Sequence, residues 1–257
     1  MAKAEHYDSH FADITAQAAV PILAAAGDLA GKSVLDVCCG TGDLAIALTE
    51  AGADVTAVDF VLPMAAMARD KASDAHIAVG DGEALPFAAS KFDVVTCSFG
   101  LWHMPTPELA LAEARRVLKP GGLYLYTAWG PPEAGFDIME LVNAAIKTHG
   151  TMDVGLPPSP PPFQFSQRPS AVPMLEAAGF REISLTKQMA SKSHRSGEEV
   201  LAVLNRALVR APMLIDRQAA SVRRLVVEHI RMSAEARRTD GVIRLQWPYV
   251  LGVATAA

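Results

Sequence analysis

The stretch Val34-Leu35-Asp36-Val37-Cys38-Cys39-Gly40-Thr41-Gly42-Asp43-Leu44-Ala45 carries the decisive pattern. Val34, Leu35 and Val37 read as a short buried strand. Gly40 and Gly42 mark a tight turn, and Asp43 opens a helix. Strand, glycine turn and helix in that order form the first unit of an α/β nucleotide-type site. The next apolar run, Val55 to Val58, ends on Asp59. Asp59 follows Asp36 by 59 − 36 = 23 residues, close to the roughly 20-residue spacing at which an acid meets a ribose diol.

Gly40-x-Gly42-x-x-Ala45 also fits a dinucleotide fingerprint. Asp43 argues against that use. A carboxylate suits a helix N-terminus but would repel a pyrophosphate placed there. S-adenosylmethionine has no phosphate and carries a sulfonium cation, so these residues favour it over NAD. A purely structural glycine turn with a strand-end acid is the alternative.

Outward from this unit, strands and helices alternate. Strands are expected at 34–37, 55–58, 77–79, 94–97 and 123–127, with helices at 43–51, 63–72 and 107–118. Thr106-Pro107 is a helix start, and Lys119-Pro120-Gly121-Gly122 a stop. This alternation predicts an α/β fold: a Rossmann-like doubly wound seven-stranded sheet, mostly parallel with an antiparallel last strand, plus a helical cap. Four regions follow. Residues 1–130 form the cofactor-binding core with an N-terminal helical segment, and 131–179 a proline-rich acceptor-side loop with helices. Residues 180–189 and 247–257 supply the terminal strands, and 190–246 the cap inserted between them.

The 257 residues and 51% hydrophobic content allow a sizeable core. A net charge of −5 argues against a general nucleic-acid binder. Met1 to Phe11 does not read as a signal peptide, and no apolar run reaches the roughly 18 residues of a membrane span. Cys38, Cys39 and Cys97 lack a metal spacing; they read as buried thiols of a reducing cytoplasm. No metal is expected.

Five blocks carry a resemblance. They are VLDVCCGTGDLA at 34–45, VTAVDFVLPMAAMAR at 55–69, VGDGEALPF at 79–87, FDVVTCSFGLWHM at 92–104 and RVLKPGG at 116–122. Together they resemble the class I S-adenosylmethionine-dependent methyltransferases, and the core is most similar to the ubiquinone/menaquinone C-methyltransferase group. Two departures stand out. Trp102 and His103 replace the Arg-Asn that usually follows Phe-Gly-Leu in that group, and Cys38 replaces the first glycine of the turn. The segment 130–246 has no clear counterpart.

The resemblance implies a cofactor site. Asp36, Cys38, Gly40 and Gly42 would border the methionine part, and Asp59 would bind both ribose hydroxyls. Phe60 and Met64 would sandwich the adenine, with Asp81, Gly82 and Glu83 at its edge and Ser98 and Phe99 at the fourth strand's end. Tyr7 lies in an N-terminal segment expected to fold over the cofactor. Met64 reads also as helix packing, and Asp81 as a turn residue.

His103 is the candidate general base, because imidazole titrates near neutral pH; a packing role is the alternative. Trp102, Trp129, Phe136, Phe163 and Phe165 are the candidate acceptor contacts, each of which reads also as core. The arginines of 206–238 read as a solvated face, with an acidic acceptor or a homo-oligomer through the cap as alternatives. The implied activity is methyl transfer to a small, largely apolar acceptor, on oxygen or carbon. The rival readings are a quinone-ring C-methyltransferase, structural use of the cofactor in a reaction such as a cyclisation, and a non-enzymatic binding protein.

Overall fold

The computed structural model describes residues 11–157 and 161–257. The N-terminal helical segment comprises α1 (Ala12–Thr15), a 3-10 turn and α2 (Ala19–Ala26). The alternating core follows: β1 (Ser33–Val37), α3 (Asp43–Glu50), β2 (Asp54–Asp59), α4 (Leu62–Lys71), β3 (His76–Val79), β4 (Phe92–Ser98), α5 (Pro107–Val117) and β5 (Leu118–Trp129). Then come α6 (Asp137–His149), α7 (Arg168–Ala177), β6 (Phe180–His194), α8 (Gly197–Ala207), α9 (Arg210–Asp216), α10 (Ala220–Glu235), β7 (Arg238–Thr239) and β8 (Val242–Ala256).

The sheet order is β3-β2-β1-β4-β5-β8-β6, with β7 paired to β8 off that path. The first five strands are mutually parallel, and β8 runs antiparallel between β5 and β6. The expected count of seven strands is therefore corrected to eight. The extra strand is the two-residue β7, which makes a tight hairpin with β8 across Asp240-Gly241. Both turn residues have positive φ, 52° and 82°, the requirement of the two-residue turn that Asp-Gly favours. That dipeptide was the available signal, inside a stretch whose pattern reads as helix and linker.

β6 and β8 pair continuously from Ser184↔Val253 to His194↔Ile243. This long hairpin extends past the sheet's other strands, and α8, α9 and α10 fill the chain between its arms. Ser196 caps α8 by accepting from the Glu199 N–H at 3.3 Å. Arg237 ties the hairpin region to α6 through Asp137 at 2.6 Å, whose other oxygen accepts from the Gln246 N–H at 2.6 Å.

Side-chain alternation splits the core in two. Val34, Val94, Leu125, Leu245 and Trp247 pack on one face with α2, α6, α8 and α10. Leu35, Val37, Val95, Cys97, Tyr124 and Tyr126 pack on the other with α5 and α7. Strands covered on both faces read as near-continuous apolar runs, which is why β1 and β4 stand out in the sequence. At Gly252 a Cβ would lie 2.1 Å from the Tyr126 ring, so only glycine admits that buried aromatic.

Candidate methyl-donor cleft

At the C-terminal edge of β1 and β4 lies a cleft lined by Thr15, Ala16, Ala19, Asp36, Cys38, Cys39, Gly40, Thr41, Asp43, Leu44 and Ser98. It spans about 440 Å³, the open solvent at its mouth included. Ligand sites of open parallel sheets form where this one does, outside the carboxyl ends of the strands.

The strand-to-helix turn builds its floor. Gly42 adopts φ 92°, and a Cβ on it would lie 3.1 Å from the Ala68 backbone. Glycine there lets α3 begin tight against α4. Asp43 then sits in the first turn of α3 and pairs with Lys71 of α4 at 2.9 Å. It also accepts from the Thr41 hydroxyl at 3.1 Å.

Asp36 is buried to 1% exposure. Its Oδ1 accepts from the Thr96 hydroxyl at 2.7 Å. Its Oδ2 is buried with no partner among the described residues. Burial pushes its pKa up to about 7, against the Thr96 hydrogen bond, and the nearby Asp59 carboxylate adds to the rise. An orphaned carboxylate oxygen facing a cleft fits a ligand that carries a cation or an ammonium group.

Asp59 is also buried and spans two loops. One oxygen accepts from the Gly40 N–H at 2.9 Å and the other from the Val61 N–H at 2.8 Å. A carboxylate has about four lone-pair sites, so each oxygen keeps capacity for a ligand hydroxyl. Burial raises its pKa, partly offset by those N–H donors.

Phe60 follows directly and is 70% exposed. Val79, the register partner of Asp59, is exposed beside it. Exposed apolar groups at a strand edge leave a surface for a flat ring. Met64 is half-buried on α4. Asp81 makes a turn, accepting from the Glu83 N–H at 2.9 Å. Glu83 in turn accepts from the Thr106 N–H, which joins this turn to the start of α5. Gly82 is packed under Met104, whose Cε would lie 2.6 Å from a Cβ there.

On the β4 side, the Ser98 hydroxyl meets the Thr127 hydroxyl at 3.0 Å. Phe99 has φ 56° and donates its N–H to the Thr127 Oγ1 at 3.0 Å. Cys38 is likewise left-handed, at φ 58°. The hydrogen-bonding contact of its thiol with that of Cys97, together with burial, raises its pKa well above the ordinary thiol range. All three cysteines are free.

His103 and Trp102 form an exposed 3-10 turn after β4. The Trp102 indole N–H donates to the His103 Nε2 at 3.2 Å. Surrounding protein pushes the imidazole pKa down, and Asp59 pulls it partly back.

The acceptor candidates separate. Trp129 and Phe136 meet at 5.9 Å between ring centroids, and Phe163 packs against the same core. Phe165 lies in the core on the opposite face, where its carbonyl accepts from the Tyr126 hydroxyl at 2.9 Å. Trp102 is 39% exposed and does not line the cleft. Tyr7 falls outside the described residues. The contributions of Thr15, Ala16 and Ala19 were missed from sequence, because an alanine-rich helix carries no mark of what it faces. Among the described residues no cluster of three metal-ligating side chains occurs, and no helix is long and apolar enough to cross a membrane.

Residues 35–126 match the family of methyltransferase domains. The demethylmenaquinone methyltransferase of Renibacterium salmoninarum is 42% identical over 114 residues, covering 44% of this chain and 48% of that protein. The Thermus thermophilus demethylmenaquinone methyltransferase is 44% identical over 112 residues, covering 41% and 51%. The chain thus matches these curated relatives over about half their length. Among solved structures, a putative methyltransferase from Bacillus halodurans superposes with TM-score 0.58 at 22% identity, over 93% of this chain and 99% of that one. The [4+2]-cyclase SpnF superposes with TM-score 0.53 at 21% identity, over 95% and 81%. These two likenesses concern the fold. With the ordered blocks and the cleft at the sheet's edge, the conclusion is that residues 35–126 form a methyltransferase domain of the S-adenosylmethionine-dependent kind, similar in sequence to the core of the demethylmenaquinone methyltransferases.

Proposed function

We propose that this protein transfers a methyl group from S-adenosylmethionine to a small, largely apolar acceptor, and that the acceptor is a quinone-type ring. The observation that carries the first part is the buried, unpaired Oδ2 of Asp36 in the cleft. The second part is supported by the names of the relatives that match the core.

S-adenosylmethionine, when bound, supplies an electrophilic methyl group together with its leaving group. The chain's part is to orient the reactants and to exclude water. Asp36 would take the methionine end through Oδ2, with the backbone around Cys38, Gly40 and Gly42 against it. Asp59 would take the ribose hydroxyls. Phe60 and Met64 would hold the adenine, with Asp81, Gly82 and Glu83 at its edge. Ser98 and Phe99 would border the cofactor at the end of the fourth strand.

A hydroxylated ring becomes nucleophilic at carbon or oxygen once its hydroxyl loses a proton. His103 is the residue we assign to that proton. Its Nε2 lone pair is occupied by the Trp102 indole, so the base acts only after Trp102 turns away. Its lowered pKa keeps it neutral at pH 7 and ready to accept. His103→Gln should lower turnover roughly 10²–10⁴-fold with cofactor affinity unchanged. Full turnover across the pH range would leave His103 a packing residue and proximity alone as the means of transfer.

The test of the activity itself has two stages. Calorimetry should show S-adenosylmethionine binding, and Asp36→Asn should weaken it. S-adenosylhomocysteine release should then follow on adding a demethylated naphthoquinol. A chain that binds no S-adenosylmethionine refutes the proposal. Binding without S-adenosylhomocysteine release on any ring acceptor would favour structural use of the cofactor.

A further inference from the structure

Six aromatic rings meet beside the cleft: Phe11, Phe99, Trp129, Phe136, Trp247 and Tyr249. Phe99 stacks on Trp129 at 4.0 Å and meets Tyr249 at 5.5 Å. Trp247 touches Trp129 at 5.7 Å, Phe136 at 5.1 Å and Phe11 at 5.5 Å. Two elements join this cluster to the cleft. Phe99 follows Ser98, a lining residue. Phe11 lies one helical turn before Thr15, another lining residue.

Trp247 is fully buried, and its indole Nε1 has no hydrogen-bond partner among the described residues. A buried donor without a partner destabilises the fold, and such groups are few in native proteins. The rings that meet Trp247 are all aromatic hydrocarbon or indole faces, so a single polar atom brought in by a ligand would satisfy the donor.

We propose that the Trp247 indole N–H is the hydrogen-bond donor of the acceptor site, and that it grips one oxygen of a flat aromatic or quinoid ring bound among these side chains. The inference rests on the methyl-transfer reading and adds to it the group that selects the acceptor. Phe11 is the ring the ligand displaces. It precedes α1 at the N-cap position, whereas the other five rings belong to sheet strands or the segments that follow them. A ring seated there would lie next to Ser98 and hence next to the methyl donor.

His194 also has an unpaired buried nitrogen, Nε2. It pairs with Ile243, four residues along β8 from Trp247. Lys192, Glu199 and Asp13 act on it electrostatically, so its surroundings are charged and suit no apolar ring. Trp247 is the donor whose surroundings match such a ligand.

The test is discrimination between two probes, 1-naphthol and naphthalene. Each is bound to the full chain in the presence of S-adenosylhomocysteine and measured by equilibrium dialysis. The chain should prefer 1-naphthol roughly 10- to 100-fold, the scale for pairing a buried donor. Trp247→Phe keeps a ring and removes the N–H; it should bring the ratio close to one and leave S-adenosylhomocysteine affinity unchanged. A second measurement needs no variant. With tryptophan labelled by ¹⁵N, the Trp247 indole proton, one of three such signals, should move downfield with 1-naphthol and stay in place with naphthalene. Equal binding of the two probes by the unaltered chain, a preference retained in Trp247→Phe, or an unmoved indole proton with 1-naphthol bound overturns the assignment. Failure to bind S-adenosylhomocysteine would instead refute the methyl-donor reading, and the probe ratio measured without it would still decide this one.

Discussion

Cys38 holds a left-handed backbone, φ 58°, a conformation that favours glycine. A non-glycine residue there costs of order 1–3 kcal/mol. The cysteine is tolerated because it is small and its thiol is packed against Cys97 and Gly100. Cys38→Gly should therefore change stability little, with released strain offsetting the lost contact. Cys38→Val, β-branched and ill-suited to that conformation, should cost about 1–3 kcal/mol more. Urea unfolding of the two variants checks this. Asp59 joins two loops and is also the residue proposed for the ribose. Asp59→Ala should weaken S-adenosylmethionine binding by about 1.5–3 kcal/mol, the scale of hydrogen bonds to a charged group. It should also lower the melting temperature, because the Gly40 and Val61 amides lose their acceptor. Unchanged affinity in calorimetry would remove Asp59 from the ribose site.

At the scale of elements, the N-terminal helical segment is a wall of the cleft fastened to an edge strand. Among the described residues β6 ends the sheet, so there one side of its backbone lacks a strand partner. The Gln17 side chain substitutes for one. Its amide donates to the Ser191 carbonyl at 3.0 Å and accepts from the Ser191 N–H at 3.0 Å. Lys192 adds a bridge to Asp13 at 2.7 Å. Gln17→Ala should loosen this segment, not the sheet. Hydrogen exchange should quicken at residues 12–19 and 191, with β1 and β4 unaffected. Cofactor affinity should fall modestly, because Thr15, Ala16 and Ala19 lose their fixed position. Exchange unchanged at 12–19 would mean that burial of Ile14 and Ala18 holds the helix by itself.

For the whole molecule, Asp36 couples ligand binding to pH. Its pKa rises from 3.8 to about 7 on folding. A group whose folded pKa is raised adds stability below its unfolded pKa and loses it as pH rises toward the folded value. The ligand-free protein should thus lose this contribution between about pH 4 and about pH 7. A cationic ligand favours the carboxylate and so releases a proton on binding below pH 7. S-adenosylmethionine affinity should rise between pH 6 and pH 8, and the melting shift it produces should be larger at pH 8. Asp36→Asn should flatten both. Calorimetry in buffers of different ionisation enthalpy reads the proton directly, and an absence of proton release at pH 6 would contradict the coupling.

Much of this was legible because it is local. The glycine turn, the capped helix starts and the apolar strand runs are decided by residues within a few positions of one another, so the sequence by itself determined the parallel core and the order of its elements. It also placed Asp36 in the first strand and Asp59 at the end of the second; that these strands are neighbours, and in what register, is fixed by the pairing of the folded sheet. The short β7 was missed, although the Asp240-Gly241 turn was local too. What only the tertiary structure decided depends on residues distant in the chain. Phe163 and Phe165 are two apart, a spacing that would put both on one face of a strand; they lie in a turn instead, and one packs against each core. Nothing around Trp247 marks it as an unpaired donor; that follows from rings contributed by residues 11, 129 and 136. The same holds for the Trp102 contact that occupies His103 and for the alanines that wall the cleft. A side chain's environment is set by what packs against it, and that is fixed only when the whole chain has folded.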